Sequence, residues 1–254
     1  MISFEEALLP ISLDDLREHY DEKKCLVVEG VSDKFHSLVS PADIERRIND
    51  GCNANSFPQV IVDGSRHSMV ASQAVWSNAS LQKSQFNESL AAGHSFMLSN
   101  SSQINPQMAA FIDELESFFE ADKVHADVHL YVSTSTSGKS YNVHRDKPQH
   151  KILLQAYGET IWQLYDAKKE MPEHLVALAD DEKDEWLEQV AEFALTEGDL
   201  LYMPPGTFHK VAAVNKPRIS ISIPFFGMEA ASRMDRSYVP FAEHFLRGGE
   251  SGND

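Results

Sequence analysis

The sequence predicts a mainly β protein with flanking helices, its strands closing into a barrel or sandwich. Three observations carry this. From about residue 126, short apolar segments alternate with Gly, Pro and Asn turns, the pattern of a β core. Before that point, helix-start signals are mixed with brief apolar runs. Hydrophobic residues make up 42% of the 254, enough to fill a core, which excludes global disorder.

Ser12-Leu-Asp-Asp-Leu-Arg opens a helix, with a Ser cap, acids in the first turn, and Leu13 and Leu16 on one side. Lys24–Gly30 is an apolar run closed by glycine, hence a strand. Ser40-Pro-Ala-Asp opens a second helix, with Pro at the first position where its missing N–H does no harm. Gln59–Gly64 reads as a strand and turn, whereas residues 71–103 are rich in Ser, Asn and Gln and show no clear period. Asn105-Pro-Gln-Met begins a helix whose Phe111, Ile112, Leu115, Phe118 and Phe119 recur at helical spacing. Strands are then predicted at Asp127–Thr134, Lys151–Tyr157, Glu159–Tyr165, Gly198–Met203, Phe208–Val214 and Arg218–Phe225. Leu175, Leu178, Trp186, Leu187 and Val190 predict an acidic helical insertion over about residues 168–193. Met228–Leu246 reads as a C-terminal helix with Tyr238, Phe241 and Phe245. The expected organisation is one structural domain: a mixed α/β part over 1–125, the β core over 126–226, and a helix and tail over 227–254.

A net charge of −17 repels a phosphate backbone and argues against a nucleic-acid partner. No apolar run reaches the roughly 20 residues that span a bilayer. The N-terminus has no basic segment followed by an apolar one, so no secretory leader is expected. Cys25 and Cys52 form no metal or redox motif and read as reduced thiols in a cytoplasmic protein.

The chemistry lies in Tyr141-Asn-Val-His144-Arg-Asp146. In an extended backbone, residues i and i+2 project to the same side, so an imidazole and a carboxylate can converge on one ion. A third ligand is offered by His209, which follows Gly198-Asp-Leu-Leu-Tyr-Met-Pro-Pro-Gly at the start of a returning strand. Two imidazoles and one carboxylate on one face leave positions open on an octahedral metal, the arrangement suited to non-haem Fe(II). His-x-Asp arises often by chance; the later His behind a strand and tight turn is what strengthens it. A co-substrate such as 2-oxoglutarate needs a cation for its far carboxylate, and the planar fork of an arginine meets a carboxylate with two hydrogen bonds. Arg218, in an otherwise apolar strand, is the candidate, on a strand expected to lie beside that of His209. Ser220 faces the same side and offers a further hydrogen bond. The competing readings are an edge arginine leaning into solvent, and Lys151 as the anchor.

The stretches Leu130–Ser133, Tyr141–Asp146, Leu154–Asp166 and Gly198–His209 together resemble the JmjC and cupin-like protein hydroxylases. The resemblance implies a double-stranded β-helix (jelly-roll) core, Fe(II) held by His144, Asp146 and His209, 2-oxoglutarate as co-substrate, and succinate and CO2 as co-products. It implies a co-substrate pocket lined by Tyr141. Tyr131 is a candidate for the same carboxylate, and either tyrosine could equally be an interior aromatic. The chain departs from many family members at Thr160, where they carry a Lys or Arg for the far carboxylate, which moves that role to Arg218. Gln155 and Trp162 read as barrel lining, Asn142 and Arg145 as mouth or surface residues, and His150 as a group behind the ligands or at the mouth.

Three functions follow from these residues. The first is hydroxylation of a protein side chain. The second is the same chemistry on a small molecule such as an amino acid or natural product. The third is a metal-binding cupin that does not use 2-oxoglutarate. The C-terminal aromatic segment is a candidate for homodimerisation or for packing on its own barrel.

Overall fold

The computed structural model describes residues 2–49, 58–62, 65–68, 70–71, 80–81, 83–134, 141–214 and 217–227. Helices come first: α1 (Phe4–Leu8) and α2 (Leu13–Glu22), then β1 (Leu26–Val28) and α3 (Pro41–Asn49). Next come β2 (Gln59–Val62), β3 (Ser65–Ser68), β4 (Val70–Ala71), β5 (Ser80–Leu81), α4 (Lys83–Ala91), β6 (Ser95–Leu98) and α5 (Pro106–Phe118). The strand-rich half follows as β7 (Val124–Ala126), β8 (His129–Ser133), β9 (His144–Arg145), β10 (His150–Tyr157) and β11 (Thr160–Ala167). It closes with α6 (Lys183–Trp186), β12 (Leu187–Leu195), β13 (Leu200–Met203), β14 (Phe208–Val214) and β15 (Arg218–Gly227). The expected C-terminal helix over 228–246 lies outside the described residues.

The caps expected from sequence are present. Ser12 accepts from Asp15 N while Asp15 answers to the Ser12 backbone, and Asn105 accepts from Met108 N ahead of Pro106.

Two sheets face each other as a jelly roll. The larger runs β1-β13-β10-β15-β8-β6-β2-β3, with β7 also on β15, and the smaller runs β12-β11-β14-β9. Strands from the N-terminal half thus extend the larger sheet. Alternation divides its central strands between two environments. Ile152 and Leu154 of β10, with Ile219, Ile221, Ile223 and Phe225 of β15, pack with Leu8, Leu16, Phe35, Phe111 and Phe119 in the main core. The opposite face of the same strands carries Lys151, Leu153, Arg218, Ser220 and Ser222 toward the space between the sheets. An apolar cluster of Leu153, Trp162, Leu164, Leu195, Leu201 and Met203 fills the rest of that space.

The structure departs from two of the expectations. The helical insertion over 168–193 contains one helical turn, α6, and β12 begins directly after it. From Leu187 onward Ala191, Phe193 and Leu195 turn inward while Glu188, Val190 and Glu192 are exposed, a period of two that pairs antiparallel with β11. Arg218 and His209 are likewise not on neighbouring strands. β14 lies in the smaller sheet and β15 in the larger, so the two side chains approach from opposite walls.

His150 faces the helices rather than the barrel interior. Its ring stacks on Tyr20 at 4.3 Å and on Phe225 at 5.4 Å, and Nδ1 lies 2.8 Å from the Tyr202 hydroxyl. Burial pushes its imidazole down to about 4. The folded chain therefore holds it neutral, while the unfolded chain takes up a proton below about pH 6.5. Its contribution to stability is complete above that pH and is lost as pH falls toward the folded value. The thermal midpoint of the wild type is expected to drop more between about pH 7 and pH 4.5 than that of His150→Phe. Equal drops would remove His150 from the acid response.

Candidate metal centre

β9 is only two residues long, yet it is held on both edges. His144 pairs with His209 and Arg145 with Phe208 across β14. On the other edge, Arg145 N donates to Val176 O (2.8 Å) and Leu178 N to Val143 O (3.0 Å). The register places the two imidazoles side by side, with ring centroids 4.4 Å apart. Each ring is oriented by a carbonyl two residues before it: His144 Nδ1 lies 2.8 Å from Asn142 O, and His209 Nδ1 lies 2.9 Å from Thr207 O. A carbonyl only accepts, so the proton sits on Nδ1 and Nε2 keeps its lone pair. Asp146 is fixed through its backbone, whose carbonyl accepts from Gly206 N at 2.8 Å. Gly206 has φ +88, which suits the residue type and closes the Pro204-Pro205-Gly206 turn against the Asp146 loop. One ligand atom from each of His144, Asp146 and His209 lies within 4.8 Å of the others.

The three groups are held in the protonation states of metal ligands. Burial drives both imidazoles toward the neutral form, His209 to about 3. Burial alone would raise the Asp146 carboxyl, but the Lys151 charge and the two neighbouring histidines hold it low, at about 2. Neutral imidazole and ionised carboxylate are the protonation states a divalent ion requires. Lys151 pairs directly with Asp146 Oδ2, which also lies 3.5 Å from His209 Nε2.

Arg218 reaches the same cavity from the opposite sheet. The cavity is lined by His144 and His209 from the smaller sheet and by Arg218, Ser220 and Ser222 on the β15 wall. Arg218 is 2% exposed, and its Nε and Nη2 have no hydrogen-bond partner. Burial lowers it only to about 10, so it stays cationic at neutral pH. A buried guanidinium with free donors is strongly unfavourable unless an anion meets it. The edge-strand alternative for Arg218 is thereby excluded. Lys151, the other candidate anchor, already has a carboxylate partner.

The other residues expected near the site are placed as follows by the fold. Tyr131 and Tyr141 both line the cavity, edge to face at 6.1 Å, and burial raises both phenols, Tyr141 to about 12. Trp162 stacks on His209 with ring centroids 5.8 Å apart. Ser220 lines the cavity but donates to Gln155 Oε1 at 2.9 Å. Gln155 also accepts from Thr160 at 3.2 Å, and Thr160 accepts from Trp162 Nε1 at 2.9 Å. That network explains how the barrel tolerates a threonine at position 160: its hydroxyl is fully used, and no cation is needed there. Arg145 borders the cleft above the triad, one of the two positions expected for it, yet its guanidinium is committed to the protein itself. It bonds Leu175 O (3.1 Å) and Pro172 O (2.8 Å) and lies over the Phe208 ring, pinning the segment before α6. Asn142 lines the same cleft, which is wider than the inner cavity.

A family model for the JmjC domain matches residues 97–232, more than half of the chain. The chain belongs to the JmjC domain family. Among solved structures, the X-ray structure of E. coli ycfD is 17% identical with a TM-score of 0.61, covering 97% of this chain and 60% of that one. The structure of YcfD, a ribosomal oxygenase from Escherichia coli, in complex with cobalt and 2-oxoglutarate is 16% identical, with a TM-score of 0.62 over 97% and 59% of the two chains. Its complex with cobalt and succinic acid gives 16%, 0.59, and the same coverage. At these identities the likeness is one of fold, and the chain spans about 60% of the length of those structures. No curated protein sequence matches the chain.

The JmjC segment contains His144, Asp146, His209 and the whole β15 wall. Two residues of this JmjC site were not singled out from sequence. Ser222 lines the cavity with a buried hydroxyl that has no partner, and the alternation Arg218-x-Ser220-x-Ser222 was the available signal. Arg66, from β3, lies over the Tyr141 ring at 5.8 Å and lines the outer cleft. No local pattern marks it, because its place depends on the larger sheet being extended by N-terminal strands.

Proposed function

We propose that this chain is an Fe(II)- and 2-oxoglutarate-dependent oxygenase that hydroxylates a protein side chain. The observation that carries the proposal is the pairing, in one cavity, of three convergent potential metal-ligating atoms with a buried guanidinium whose Nε and Nη2 have no partner. A dicarboxylate that chelates a metal with one end and needs a cation for the other fits both ends at once. Ferrous iron with 2-oxoglutarate, when bound, supplies O2 activation coupled to release of succinate and CO2.

The chain's own residues prepare that chemistry. His144 and His209 present Nε2 because Asn142 O and Thr207 O hold Nδ1–H. Asp146 would supply the single carboxylate of the three protein ligands, a donor set suited to ferrous iron that also takes a co-substrate. Arg218 would receive the far carboxylate, and the partner-free Ser222 hydroxyl lines the same cavity further along β15. Trp162, Leu153 and Val211 keep the inner cavity largely apolar, which limits water near the metal position.

A polypeptide substrate is supported by the open cleft, much larger than the inner cavity and lined by Arg66, Asn142, Gln149 and the 176–179 segment. It is supported too by the likeness in fold to YcfD, a ribosomal oxygenase from Escherichia coli. A cytoplasmic setting fits the free thiol of Cys25, and among the described residues no helix is long and apolar enough to cross a membrane.

The purified chain supplied with Fe(II), ascorbate and 2-oxoglutarate is expected to form succinate slowly. The rate should rise on adding the protein fraction of a cell extract, but not its small-molecule filtrate. Stimulation by the filtrate alone would transfer the proposal to a small-molecule substrate. Absence of succinate from iron-loaded protein would reject the oxygenase.

A further inference from the structure

Lys151 is a buried charge to which the proposed chemistry gives no task. It lies on β10 opposite Met203 on one side and Pro224 on the other, is 8% exposed, and turns into the barrel. Its ammonium rests on Asp146 Oδ2, the oxygen that also faces His209 Nε2. It borders both the inner cavity and the outer cleft. A cation thus already sits on the carboxylate oxygen that points toward the metal position.

We propose that Lys151 is a cationic placeholder that neutralises Asp146 in the metal-free chain, opposes loading of a divalent ion by itself, and makes metal and 2-oxoglutarate bind as a pair. The inference rests on the proposed oxygenase reading. A divalent ion arriving alone adds positive charge beside both the Lys151 ammonium and the Arg218 guanidinium, in a site where burial weakens solvent screening. The 2-oxoglutarate dianion offsets that charge. Arg218 takes one carboxylate, and the other reaches the metal end, where Lys151 is free to turn from Asp146 to the incoming anion. Each ligand then raises the other's affinity by the same factor, as linkage requires. Lys151 is a positioning residue in this scheme. A purely structural lysine, holding Asp146 in place, would have the opposite signature, because its removal would loosen the carboxylate and weaken metal binding.

The experiment is a calorimetric titration of Mn(II) into wild type, Lys151→Met and Lys151→Gln, without and with saturating 2-oxoglutarate. Both variants remove the charge, and Gln keeps a hydrogen-bond donor. Without 2-oxoglutarate both are expected to bind Mn(II) about tenfold more tightly than wild type, a gap that should close to within about threefold when it is present. Variants that bind Mn(II) no more tightly than wild type overturn the placeholder. A gap that 2-oxoglutarate leaves unchanged overturns the pairing. His144→Ala serves as control: if it binds Mn(II) as wild type does, the metal site itself is misassigned, and the placeholder falls with it. If 2-oxoglutarate alters Mn(II) binding in none of the proteins, the co-substrate reading is what fails, and the pairing falls with it.

Discussion

His209→Ala is expected to lower affinity for Mn(II) or Fe(II) by about 100-fold or more and to abolish succinate formation, while the chain remains folded. His209 sits at the centre of the site. Its ring is 4% exposed, stacked on Trp162, and oriented by Thr207 O so that Nε2 faces Asp146. Removing it takes away a ligand that no neighbouring side chain replaces among the described residues, since the cluster of potential metal-binding groups found there has three members. The effect on the metal-free fold should be smaller. Loss of a buried ring leaves a cavity, but His209 is held neutral there and contributes no ion pair of its own to folding. Calorimetric Mn(II) titration with a circular-dichroism melt separates the two outcomes. Unchanged metal affinity in a folded His209→Ala protein would show that the three groups do not share an ion.

The second large effect belongs to Arg218. Arg218→Met is expected to raise the KM for 2-oxoglutarate by about 100-fold, the size associated with losing one partner of a buried charge pair. It should change Mn(II) affinity in the absence of co-substrate far less. The same substitution should also raise the melting temperature of the ligand-free chain. Nε and Nη2 of Arg218 are buried without partners, so methionine relieves a desolvated charge while filling similar space. A gain in stability with a loss of co-substrate binding is the signature of a group kept for a ligand. If the variant kept its KM and lost stability, Arg218 would be a structural residue and the anchor would lie elsewhere.

The site was more legible in the sequence than the fold that carries it. His144, Asp146 and His209 could be proposed because i and i+2 spacing is a local property and the turn before His209 is marked by Pro204-Pro205-Gly206. Arg218 stood out because a charge in the run Ile219, Ile221, Ile223 demands a reason. What could not be read was which wall each residue occupies. A jelly roll sends successive strands to opposite sheets, so β14 and β15 follow each other in sequence yet pair with different partners. β12 was hidden because an acidic stretch with apolar residues at several spacings satisfies a helical period before the pairing with β11 decides for a strand. His150 looked close to the ligands, but alternation along β10 places it on the helix side and Lys151 on the site side. Burial sharpened this: the sequence shows a lysine among apolar residues, whereas the structure shows which carboxylate it neutralises.

The proposed chemistry requires one cavity to receive a metal at one end and a carboxylate at the other. A crystal structure of the chain with Mn(II) and 2-oxoglutarate tests this most directly. The ion is expected between His144 Nε2, His209 Nε2 and an Asp146 oxygen, with the far carboxylate of 2-oxoglutarate on the Arg218 guanidinium. An ion bound away from His209, or a far carboxylate seated on Lys151 with Arg218 still unpaired, would contradict it.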